Sequence, residues 1–201
     1  MNLLNRLSSS LEIAWLEVKS KYARSLLGPF WITLSMIILI PGLSFVFVSL
    51  FGIPLKKTLP WIAIGIIVWN FINTYLDDSC QVFISDKHLN IKMSPIKMVF
   101  INIFKNSIIF FHNSIVLIPV IIFTDLKVAP TYFFLIFSFF IIFVNAVSFG
   151  ILFGFLCCRF RDFYLIIKNI LYLLFLMTPI FWMPEVLKGN RMLLADVNIL
   201  Y

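Results

Sequence analysis

Residues able to do covalent or acid–base chemistry are scarce in this chain, and their spacing builds no reaction centre. There are two histidines, His88 and His112, and three cysteines, Cys80, Cys157 and Cys158. No His-Glu-x-x-His, Gly-x-Ser-x-Gly or Cys-x-x-Cys pattern occurs, so neither a zinc hydrolase nor a nucleophile elbow is encoded. The cysteines lack metal-ligand spacing and are read as small buried side chains, with no metal site expected. A Gly-x-x-x-x-Gly-Lys-Ser/Thr loop is also missing, so nothing here cradles nucleotide phosphates. The carboxylates avoid the long apolar runs, where a proton-coupled carrier or an intramembrane hydrolase would keep one. His112 with Asn113, and Asn70, Asn73 and Asn145, lie within apolar runs and are expected to face other helices or a water-filled path.

The elements that must position these residues are membrane spans. Apolar residues make up 62% of the 201 and charged residues 12%, with a mean hydropathy of +1.04. Soluble domains run near 45–50% and 25%, so lipid must cover much of this surface. Charge-free runs place five spans near 32–51, 59–76, 107–123, 132–156 and 164–182, Lys168 snorkelling in the last. Strand-like in/out alternation is absent, which excludes a barrel. Residues 3–27 precede them. Within this stretch Leu4, Leu7, Leu11, Trp15, Val18 and Tyr22 recur at helical steps, giving an amphipathic helix for the inner membrane surface. Gly28–Pro29 then breaks the helix and lets the chain turn into the membrane. Pro41–Gly42 and Pro119 are expected to kink the first and third spans. Residues 77–105 are too polar to cross and read as a cytoplasmic segment with a Ser94–Pro95 turn. The fold class is therefore an all-α polytopic membrane protein in one domain, 1–201.

Net charge is +7, and the basic residues divide by side. With the N-terminus inside, 11 lysines and arginines fall inside and 5 outside. This bias accounts for the charge through membrane topology, so nucleic acid is not expected as a partner. It sets the N-terminus in the cytoplasm.

Three stretches carry a resemblance. Lys21-Tyr22-Ala23-Arg24-Ser25-Leu26-Leu27-Gly28-Pro29-Phe30-Trp31 resembles the basic-Tyr-x-Arg-Ser/Thr-x-Leu-Gly-x-x-Trp motif of type-2 ATP-binding-cassette permeases, in the branch that exports O-antigen (the lipopolysaccharide glycan), capsule and teichoic acid. Arg159-Phe160-Arg161-Asp162 resembles that family's turn between its fourth and fifth spans. Thr178-Pro179-Ile180-Phe181-Trp182 resembles its Ser/Thr-Pro-Ile/Val block.

The resemblance implies a bacterial inner-membrane permease that works as a homodimer. It would move a lipid-linked polysaccharide, powered by ATP and Mg on a separate P-loop ATPase, with no cofactor on this chain. It implies that Lys21, Tyr22, Arg24, Gly28, Pro29 and Trp31 set the membrane-surface turn. Asp86, Lys87, Lys92, Pro95 and Lys97 would couple to the ATPase, and Arg159, Arg161 and Asp162 would tie helix ends at the inner turn. Trp61, Trp69, Tyr75, Tyr172 and Trp182 are candidates for an aromatic glycan path. Lipid exposure explains much of the aromatic content equally well, the chain having 24 Phe. The family has six spans where five are read here. A shortened, non-transporting scaffold is thus an alternative, and a membrane enzyme acting on lipid-linked sugars is another.

Overall fold

The structure is a computed structural model that describes residues 3–21, 23, 25–84, 93–126 and 134–180. These are all-helical, in seven helices: α1 (Leu3–Lys21), α2 (Phe30–Phe51), α3 (Leu55–Gln81), α4 (Pro95–Ser114), α5 (Leu117–Thr124), α6 (Phe134–Arg159) and α7 (Asp162–Met177). Among the described residues four stretches are long and apolar enough to cross a membrane: Phe30–Phe51, Leu55–Gln81, Pro95–Thr124 and Phe137–Arg159. The expected fifth, 164–182, begins as α7 but stops being helical at Met177, and its expected end at Trp182 lies outside the described residues. Thr178 caps α7 in an extended conformation, as the residue before Pro179 must.

The centre of the bundle is α3, which packs against α2, α4, α5, α6 and α7. It is the least apolar span and the most buried one. Its polar side chains are met by protein, so it needs little lipid contact. One core joins Met36 and Ile40 of α2 to Ile62, Ala63, Ile66 and Trp69 of α3, with Val120 of α5. Smaller clusters join Cys80 of α3 to Cys157, Ile167 and Leu171, and Tyr75 to Ile103 and Ala146. By contrast α2 and α6 turn rows of Phe, Ile and Leu outward, including Phe45, Leu50, Phe137, Phe140 and Leu152. Such faces are stable only against lipid or another chain.

Two segments depart from the sequence reading. Residues 77–105 are not one polar connection, because α3 continues to Gln81 and α4 begins at Pro95. Ser94 accepts a hydrogen bond from the Lys97 N–H and Pro95 fills the first helical position, so the Ser-Pro pair starts a helix instead of turning a loop. The third span is also longer than 107–123 and is broken at Ile115–Val116. The break lies four residues before Pro119, which has no N–H to offer the Ile115 carbonyl. The Ile118 N–H takes that carbonyl instead, at 3.1 Å.

Close approach of α3 and α6 depends on Gly150 and Gly154. A Cβ on Gly150 would collide with the Tyr75 hydroxyl, which donates to the Ala146 carbonyl. One on Gly154 would sit 2.6 Å from Cε2 of Phe83. Gly42, in α2, has nothing within 4 Å of its added Cβ. Gly150→Ala is therefore expected to lower stability by about 1–3 kcal/mol through overpacking. Gly42→Ala should raise it by roughly 0.5–1 kcal/mol. Thermal melts of the two variants in one detergent check both signs.

Candidate functional site

Polar residues gather at one end of the bundle, where α1 crosses α4. The buried face of α1 is Ser10, Ala14 and Val18, whose small side chains allow close packing on α4. Leu11, Trp15 and Leu16 stay exposed for lipid. Trp15 also stacks on His112, with ring centroids 6.3 Å apart. The sequence-predicted amphipathic helix is thus present to Lys21, packed on α4 along one side and apolar on another.

Beneath α1 lies a chamber of about 600 Å³. Glu17, Val18, Ser20 and Lys21 of α1 line it, with Asn73, Thr74, Asp77 and Asp78 of α3, Lys105, Asn106 and Ile109 of α4, and Lys168 of α7. Asp77 and Asp78 sit in the last turns of α3, where the helix dipole disfavours negative charge. Lys105 offsets this. Its Nζ lies 2.9 Å from Asp78 Oδ2 and 3.9 Å from Glu17 Oε2.

A chain of amides backs the ion pair. Asn106 Nδ2 donates to Asp78 Oδ2, to the Asn102 carbonyl and to Asn102 Oδ1, each at 3.0 Å. Asn102 Nδ2 donates to Ser79 Oγ at 3.0 Å, and Ser79 Oγ–H to the Tyr75 carbonyl at 2.6 Å. Asn106 and Asn102 are buried. The 2.9 Å pair and the amides couple α3 to α4 through charge-assisted hydrogen bonds at low dielectric, and the 3.9 Å Lys105–Glu17 ion pair brings in α1.

The sequence-predicted residues fall in different places. Lys21 lines the chamber, while Tyr22 and Arg24 lie outside the described residues. Gly28 adopts φ +54°, a left-handed conformation suited to glycine, and Pro29 leads directly into α2. Trp31 is partly exposed beside them. Pro95 and Lys97 form the first turn of α4; Asp86, Lys87 and Lys92 lie outside the described residues.

At the α6–α7 turn, Arg159, Arg161 and Asp162 are all exposed, and among the described residues no ion pair joins them to a neighbouring helix. Arg159 instead lies 5.7 Å from the Phe160 ring centroid. Among the aromatics, Trp69 is buried against Phe175 and Tyr75 is bonded to Ala146, so both serve packing. Tyr172 is exposed on α7, and Trp61, also exposed, donates from Nε1 to the Pro179 carbonyl at 3.1 Å. Ile180 packs beside Gly65, so the Thr-Pro-Ile block docks onto α3. Trp182 lies outside the described residues.

Asn145 breaks an expectation. It is exposed on α6, and its Nδ2 donates back to the Ile141 carbonyl at 2.9 Å, which satisfies part of the amide without another helix. Asn113 is the converse: 1% exposed, with neither amide atom bonded among the described residues.

At the opposite end, Lys56 Nζ meets Asp125 Oδ2 at 2.7 Å across exposed side chains. The hydrogen bond and charge of Lys56 hold the Asp125 carboxyl below its ordinary value. Such a group contributes stability above the unfolded pKa of about 3.9, lost as pH falls through the lower folded value, and an exposed pair contributes little.

Truncating Lys105 to Met leaves Asp78 without its counter-ion near the α3 terminus, held only by Asn106, and should cost about 1–3 kcal/mol, given partial exposure of the pair. Glu17→Gln, acting on the longer 3.9 Å contact, should cost clearly less in the same melt. Adding Asp78→Asn to Lys105→Met should recover part of the loss, because the two sites couple. Asn113→Leu is expected to stabilise by about 1–3 kcal/mol, since it removes a buried unbonded amide at similar volume.

The arrangement positions helices and holds charge at a membrane edge; no nucleophile with its base is assembled in it. No characterised protein matches the chain in sequence. The family model of the ABC-2 type transporter matches residues 11–201, nearly the whole chain. This chain therefore belongs to the ABC-2 type transporter family and is a membrane subunit of an ABC transporter, a permease and not an enzyme.

Proposed function

We propose that this permease moves a lipid-linked polysaccharide outward across the bacterial inner membrane, as a homodimer beneath which two separate P-loop ATPase subunits bind. The observation that carries the reading is the stretch Lys21–Trp31. Its residues resemble the motif of the polysaccharide-exporting branch, and residues 25–29 within it lead into the first span, with Gly28 left-handed. These 201 residues hold no P-loop, so in this reading the energy comes from the ATPase subunits.

The N-terminus and the charged end of the bundle are cytoplasmic in this reading. The ATPase would meet the connection between α3 and α4, from Asp86, Lys87 and Lys92 to Pro95 and Lys97. Exposure of Arg159, Arg161 and Asp162 supports contact with a partner over a tie within the chain. Exposed Tyr172 and Trp61 are the described aromatics best disposed to meet sugar rings.

A tag on the N-terminus should co-purify a P-loop ATPase at near equal stoichiometry from native membranes in mild detergent. Cells depleted of the chain should accumulate carrier-linked glycan in the cytoplasm; unchanged surface glycan would contradict the reading. Arg161→Ala is expected to reduce surface glycan about tenfold at normal abundance, the loss of a contact worth roughly 1.4 kcal/mol, with Arg161→Lys partly active.

A further inference from the structure

We propose that the outward face of α6, from Ser138 to Phe155, is covered in the membrane by the same face of a second copy of this chain. The inference rests on the two-copy assembly proposed above and names the surface that joins it. Ser138, Ile141, Asn145, Ser148, Leu152 and Phe155 are all exposed and follow one another at alternating steps of three and four residues. Such a 3.5-residue repeat keeps one narrow seam aligned along a helix, as packing on a second parallel helix requires.

The middle of the seam is polar. Asn145 lies about 21 Å along the helix from Arg159, inside the roughly 30 Å hydrocarbon core. Its Nδ2 uses one N–H on the Ile141 carbonyl. The second N–H and Oδ1 have no partner among the described residues, and neither has the exposed hydroxyl of Ser148, one turn on. Lipid offers these groups nothing, and leaving them unbonded there is costly. The helix α2 also exposes small residues, Ser35, Gly42 and Ser49, but both of these serine hydroxyls bond carbonyls of their own helix, so lipid can cover that face. A second copy meets the need on α6 with nothing added. Two copies share one orientation in the bilayer, so a two-fold axis along the membrane normal sets their α6 helices parallel and brings Asn145 to Asn145. An amide is donor and acceptor at once, so the two satisfy each other. Charge agrees at the inner end of the helix. Arg159 and Asp162 are exposed with no ion pair among the described residues, and the axis offers each arginine the Asp162 of the partner subunit.

The full chain would be tested in native membranes with Cys158→Ser, which leaves only the buried Cys80 and Cys157. Mild oxidation should then join most of a Ser148→Cys population into a disulfide-linked dimer. Phe140→Cys, exposed but about 100° round the helix from Ile141, should cross-link little. Asn145→Leu should weaken self-association about tenfold, the worth of one interhelical amide pair, read from photobleaching steps of labelled protein across a dilution series in one detergent. Asn145→Gln keeps the amide and should retain most of the affinity. Position 145 is exposed, so both variants should melt like the parent. A monomer in the membrane, a dimer that cross-links through Gly42→Cys on α2 and not through Ser148→Cys, or an Asn145→Leu chain that associates as tightly as the parent would overturn the proposal. Surface glycan in the same cells separates this from the export reading: normal export with no cross-link at position 148 sinks the interface alone.

Discussion

The Lys105–Asp78 ion pair lies at the point where an apolar bundle has to accept charge, and the arrangement around it follows from that constraint. In lipid an unpaired carboxylate at the end of α3 is expensive. Lys105 answers it at 2.9 Å, and Asn106 adds a second donor to the same oxygen. Fixing Asp78 sets the register of α3 against α4. Because α1 packs on α4, the same lysine also reaches Glu17, so the surface helix is held to the membrane bundle. The small faces of α1 and α6 complete the geometry by letting backbones approach.

Much of this fold was legible in the sequence, for a physical reason: lipid forbids charge over roughly 20 residues, so charge-free runs mark spans. The ends were less legible. Asp77, Asp78 and Lys105 read as the limits of spans, yet both helices continue past them, because the charges neutralise one another instead of leaving the helix. Ser94–Pro95 was a helix-start signal that the turn reading overlooked. Pro119 did announce the break in the third span.

The site was harder to read. Glu17, Asp78 and Lys105 belong to three helices, and no local pattern announces their convergence. Asn102 and Asn106 had a weak signal, two amides one helical turn apart beside a lysine at a span's edge. Asn145 shows why amides in spans are ambiguous, since a bond to the carbonyl one turn back can replace a partner helix. The motif around Gly28 was legible because it depends on backbone conformation: glycine before proline at a helix junction has a local cause. At the α6–α7 turn, residue types alone could not separate an internal tie from a surface offered to another chain.

Family membership makes this chain a membrane subunit of an ABC transporter, and the proposed reading assigns the work of ATP hydrolysis to a partner. The most direct test is reconstitution. The permease and its cognate ATPase would be placed in sealed proteoliposomes containing a radiolabelled carrier-linked glycan, and movement between leaflets followed by accessibility to a glycan-cleaving enzyme. The account predicts transfer that requires ATP, Mg and both subunits. ATP hydrolysis by the assembled complex with no transfer of the glycan lipid, while a different amphiphile does cross, would contradict the polysaccharide reading.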